Sequence, residues 1–73
     1  MPVTMLKAEE TATIVKIGGT DAVRQHLSEL DFTVGEQIKV INNISGNLIL
    51  QVKGARIALD HEMASKVNVN PSH

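Results

Sequence analysis

Between Glu36 and Leu59 the chain reads as three short segments of alternating polarity joined by turn residues. In Glu36–Asn42, Ile38 and Val40 share one parity and Gln37 and Lys39 the other. Leu48, Leu50 and Val52 share one parity in Leu48–Lys53, and Ile57 and Leu59 do so in Arg56–Leu59. A period of two is the mark of a strand with one buried face. Ser45-Gly46-Asn47 and Lys53-Gly54-Ala55 are too short for anything but tight reversals. The region therefore predicts an antiparallel meander. A meander cannot stay open on its apolar face, so the flanking segments must cover it.

Thr11–Ile17 (TATIVKI) reads as the first strand. Its apolar parity changes between Ala12/Ile14 and Val15/Ile17, which predicts a bulge or sharp bend. Gly18-Gly19 breaks the strand, and Thr20 or Asp21 can cap a helix. In Ala22–Leu30, Val23, Leu27 and Leu30 form one helical stripe, with Arg24, Gln25, Ser28 and Glu29 off it. Asp31 stands where a helix often ends in the left-handed region, and Phe32–Gly35 turns into the meander. After it, Asp60 can cap a helical turn, Asp60–Lys66, that points Met63 at the core. Val67–Val69 is a last short strand. Leu6–Glu10 is a lead-in and Asn70–His73 is expected to fray.

This order predicts a single, mainly β domain over residues 1–73, with its core at about 6–70. The expected architecture is a small five-stranded SH3-like barrel, with one short α-helix after strand 1 and a helical turn before the last strand. Closure into a barrel removes exposed sheet edges. An OB fold also has five strands, but its helix sits between strands three and four, and here the helix comes early.

Composition excludes several functions. The chain has no Cys, which removes disulfides and thiolate chemistry. Seven basic residues against eight acidic ones, with one Phe and no Trp or Tyr, give neither a basic stripe nor stacking platforms. Nucleic acid is therefore not an expected partner. No apolar run nears the ~20 residues that span a bilayer, and Met-Pro-Val-Thr-Met lacks the pattern of a secretory leader. A cytoplasmic protein without direct membrane insertion is expected.

No catalytic residues emerge. Ser28 is two positions from His26, a spacing that does not face on a helix. Glu9, Glu10, Asp60 and Glu62 are surface-type acids. The metal candidates are His26, His61, Glu62 and His73. His61 and Glu62 are adjacent and point differently, and nothing supplies the three or four converging ligands of a robust site. No metal site and no cofactor are expected, and any iron or zinc binding should be weak and superficial. Gly18-Gly19 lacks the Lys and Ser/Thr of a phosphate loop.

The ordered set Ile14-Val15-Lys16-Ile17-Gly18-Gly19, Arg24-Gln25-His26-Leu27-Ser28-Glu29-Leu30, Val34-Gly35, Ile57-Ala58-Leu59 and Val67-Asn68-Val69 resembles the FeoA family over roughly residues 6–70. The chain departs from the family where Gly is common, at Asp31 and near Glu9-Glu10. The resemblance implies an SH3-like barrel in the cytoplasm. It also implies an accessory, protein-interaction role in ferrous iron uptake, with the FeoB-type membrane GTPase transporter as partner. The alternative is a metal-responsive regulatory domain with weak transition-metal binding.

Phe32 is the only aromatic residue. It can plug the barrel end or stand partly exposed as an anchor beside the helix. Aromatic and Arg side chains are favoured where partners dock, so the expected docking residues are Arg24, His26, Leu27 and Phe32. A rival surface is Ile41, Ile44 and Ile49, of which Ile49 points away from Leu48 and Leu50.

Overall fold

Two matched hairpins build the meander. In the computed structural model, which describes residues 1–72, β2 is Gln37–Ile44, β3 Asn47–Val52 and β4 Ala55–Leu59. Ser45 and Gly46 connect β2 to β3 with φ of 54° and 85°; Lys53 and Gly54 connect β3 to β4 with φ of 50° and 79°. Positive φ at both central residues is the type I′ turn, whose twist matches that of the flanking strands. The turns fix the registers Ile44↔Asn47 and Val52↔Ala55. That puts Leu48, Leu50 and Val52 on the buried face with Ile38 and Val40.

β1 is Thr11–Ile17 and β5 is Val67–Pro71. β1 pairs with the start of β2 through Thr11↔Lys39 and with β5 along most of its length, always antiparallel. The sheet order is β4-β3-β2-β1-β5. The expected irregularity in β1 is present as a register shift between Ile14 and Lys16. A second shift, between Val40 and Asn42, bends β2 where it passes from its β1 partner to β3 alone. These bends curl the sheet around one core. No ladder joins β4 to β5, so the barrel is not closed by hydrogen bonds.

The β5 edge is covered in another way. Val69 N–H donates to Met1 C=O at 2.7 Å, the Met1 ammonium donates to Val69 C=O at 3.1 Å, and Pro2 bridges to Asn68. A 3-10 turn, Val3–Met5, follows and buries Val3 completely, with Leu6 behind it. The hydrophobic core thus takes in Val3, ahead of the lead-in Leu6–Glu10. Asn43 fastens this segment. Its amide Nδ2 donates to Thr4 and Leu6 carbonyls at 3.1 and 2.5 Å, while its Oδ1 accepts from Gly46 N–H at 2.9 Å. The expected fraying also needs correction over Asn70–Ser72. Asn70 and Pro71 lie in β5, and Ser72 N–H donates to Thr11 C=O at 2.8 Å. His73 lies outside the described residues.

The helix α1 runs Asp21–Glu29, and Thr20 caps it by accepting from Val23 N–H at 3.2 Å. Its C-terminus is a Schellman motif. Asp31 N–H donates to Ser28 C=O at 3.0 Å and Phe32 N–H to Leu27 C=O at 2.9 Å, with Asp31 at φ 67°. The hydrophobic contact that accompanies this motif joins the positions of Leu27 and Phe32, and both are buried. The turn α2, His61–Ala64, is capped by Asp60 accepting from Met63 N–H at 2.8 Å. Met63, Val23 and Leu30 are half-buried against the core.

Candidate docking surfaces

The four expected docking residues separate into two pairs. Arg24 and His26 are exposed on α1; Leu27 is fully buried and Phe32 is 1% exposed. Leu27 and Phe32 therefore hold α1 to the barrel, and their side chains are not available to a partner in this fold. The cause is the Schellman turn, which folds the chain back so that Phe32 enters the core under Leu27 instead of standing beside the helix.

What α1 offers solvent is polar: Arg24, Gln25, His26, Ser28 and Glu29. Arg24 is paired with Asp21 one turn earlier, a contact open to water on both sides and so weakly held. The apolar component comes from a residue that sequence reasoning passed over. Val34 is 67% exposed in the loop after α1. Gly35 N–H donates to Ile14 C=O at 2.8 Å, tying this loop to β1 next to Val15, which is 43% exposed. A β-branched residue inside a turn, between Thr33 and Gly35, was the available signal: such a residue gains little from a turn conformation. Lys53 braces the same region, 3.8 Å from the Asp31 carboxylate and 3.7 Å from that of Glu36.

The rival surface has a different character. Ile44 and Ile49 are exposed and Ile41 is half-buried. Ile44 and Ile49 border a shallow groove of about 450 Å³ with Asn42, Ala58 and Asp60 along it. The β2 bulge lies at Ile41 and flips the parity beyond it, so Ile44 is exposed like Ile49 although it shares parity with buried Ile38 and Val40.

The histidines are far apart in role. His26 is on the exposed side of α1, whereas the His61 ring packs over Gly46 and the His61 backbone N–H donates to Asn47 Oδ1 at 2.8 Å. Among the described residues, no three His, Asp or Glu side chains gather in a way that could hold a metal ion. No helix among the described residues is long and apolar enough to cross a membrane.

The FeoA domain sequence profile matches residues 1–71. A protein of Methanocaldococcus jannaschii named "Putative Fe(2+) transport protein A" is 31% identical over 68 residues, which is 93% of this chain and 83% of that one. Among solved structures, an iron uptake regulatory protein, FeoA, superposes with a TM-score of 0.93 at 27% identity, covering 99% of this chain and 97% of that one. Stenotrophomonas maltophilia FeoA, solved with zinc and described as a prokaryotic SH3 domain protein, gives a TM-score of 0.82 at 27% identity. There the coverage is 96% and 89%. The curled five-stranded sheet is thus an SH3-like fold.

Proposed function

The chain belongs to the FeoA domain family, and from that premise we propose that it is a cytoplasmic, non-catalytic accessory of ferrous iron uptake that docks on a FeoB-type membrane GTPase transporter. The family match over residues 1–71 carries this reading. The relatives support it: one is named for Fe(2+) transport, and the S. maltophilia protein is suggested as an activating factor of ferrous iron transport. The architecture agrees with a docking role. Its large apolar side chains are mostly spent on one core, and among the described residues no polar or charged residue is buried in it.

The docking surface in this proposal is the exposed side of α1 with the loop that follows it. Arg24 and His26 supply donors and charge, and Val34 supplies an apolar anchor. Interfaces combine such an anchor with a polar rim. The test is retention of the detergent-solubilised FeoB-type transporter of the same genome on immobilised chain, together with ferrous iron uptake in cells lacking the gene. Retention that falls at least ~10-fold with Arg24→Glu or Val34→Glu is expected. No retention, combined with unchanged uptake, would overturn the proposal.

A further inference from the structure

Of the two sheet edges, β5 is covered by Met1 and Pro2, and β4 is bare among the described residues. In a two-residue hairpin the residues flanking the turn bond each other, so Ala55, Ile57 and Leu59 face β3. Arg56 and Ala58 therefore turn both peptide groups outward, and Asp60, still extended at φ −74° and ψ 168°, turns out its N–H. An edge like this is a template for another strand. Natural edges are commonly blocked by Pro, an inward-pointing charge or a covering loop. Here the exposed side chains are Arg56, small Ala58 and Asp60.

That triplet is self-complementary. We propose that β4 pairs antiparallel with β4 of a second copy of this chain, about a two-fold axis at Ala58. In that register Ala58 faces its counterpart and Arg56 faces Asp60 of the other copy, twice. The residues opposite each other exchange backbone bonds: two between the Ala58 pair, and one from each Asp60 N–H to the facing Arg56 C=O. Asp60 spends one carboxylate oxygen on the α2 cap and keeps the other for the guanidinium. Among the described residues Arg56 has no ion-pair partner of its own. On the core side, half-buried Ile57 gains cover from the facing Leu59. Any other strand could use the backbone groups, but the two-residue spacing of Arg and Asp around Ala58 is matched by the chain itself.

A single strand-strand seam is smaller than the ~1,200–2,000 Å² of a stable complex, so the dimer is weak. Sedimentation equilibrium from ~10 µM to ~1 mM is expected to show dimer rising with concentration. Ala58→Pro removes the central donor and is expected to keep the chain monomeric with an unchanged circular dichroism spectrum, since that N–H faces outward. Arg56→Glu and Asp60→Lys chains should each be monomeric, because like charges face each other, yet dimerise when mixed, because both pairs are then opposite. A wild-type chain that stays monomeric at ~1 mM would leave the edge to a strand of some other protein and overturn the proposal. So would an Ala58→Pro chain that still dimerises, or a mixture of the two folded charge variants that does not.

Discussion

Replacing Gly46 by Ala should destabilise the protein about twice as much as replacing Gly54, although both glycines occupy the same position of the same turn type. Their φ values are 85° and 79°, so the left-handed strain of an L side chain is common to both. That strain costs about 1–2 kcal/mol, offset by roughly 0.4–1 kcal/mol from the stiffer unfolded chain. Gly54→Ala should therefore cost about 1 kcal/mol, because a Cβ there meets nothing within 4 Å. A Cβ on Gly46 would overlap His61 Cδ2 and lie 3.1 Å from its Cγ. Moving only the ring tip does not relieve the second contact, so the imidazole must leave the hairpin altogether. His61 is exposed and can swing toward water, which keeps the added cost at the low end of overpacking, about 1 kcal/mol.

Urea unfolding of Gly46→Ala, Gly54→Ala, His61→Ala and the Gly46→Ala/His61→Ala double variant separates strain from clash. His61→Ala leaves the backbone donor to Asn47 in place. In its background Gly46→Ala should fall to the cost of Gly54→Ala, a coupling of about 1 kcal/mol. In a domain this small that is a melting-temperature difference of about 4–8 °C. A coupling below ~0.3 kcal/mol, within the scatter of independent sites, would refute the claim that the His61 ring dictates glycine here.

Glu9 and Asp31 have φ of 75° and 67°, so Glu9→Gly and Asp31→Gly should each raise stability. The gain at Glu9 should be larger, about 1 kcal/mol, because Asp tolerates this region better than Glu; equal losses in both would refute it. The ion pairs given up, Glu9 with Lys39 and Asp31 with Lys53, are exposed and contribute little. Phe32→Ala should cost about 3–5 kcal/mol, most of what a small domain has, whereas Val34→Ala should leave the denaturation midpoint unchanged and register only in transporter retention. Asp60→Ala removes the α2 cap and should cost about 1 kcal/mol, measurable as earlier urea unfolding with an unaltered slope.

The elements were legible where local chemistry decides them. Alternation gave β2 to β4, Ser45-Gly46 and Lys53-Gly54 gave the reversals, and the parity change in β1 gave its bulge. Asp31 is the sharpest case: a residue that tolerates the left-handed region, placed at the end of a helical stripe, implies the turn that its backbone bonds form. The two places where the chain departs from its family's glycines, Asp31 and the Glu9-Glu10 segment, contain two of the four non-glycine positive φ angles among the described residues. The N-terminal cover of β5 was not legible, because backbone groups of Met1 make it and backbone groups leave no pattern in a sequence. The same holds for Asn43, whose amide joins three segments through carbonyls and an N–H that any sequence would carry.

The docking residues show where sequence reasoning reaches its limit. Leu27 and Phe32 were identified by type, as a stripe residue and the only aromatic, but exposure depends on which way the chain turns after the helix. The Schellman turn resolves that by placing both in the core. The rule then inverts: the large apolar residues left outside the core carry the information. Val15 and Val34 stand near the end of α1, and Ile44 and Ile49 stand near bare β4. These clusters belong to different elements, so the two binding proposals make separable demands. Val34→Glu should abolish transporter retention and leave the dimer intact, and Ala58→Pro should do the reverse. If either variant removed both, the two clusters would be one surface, and the assignment of α1 to the transporter and β4 to self-association would fail.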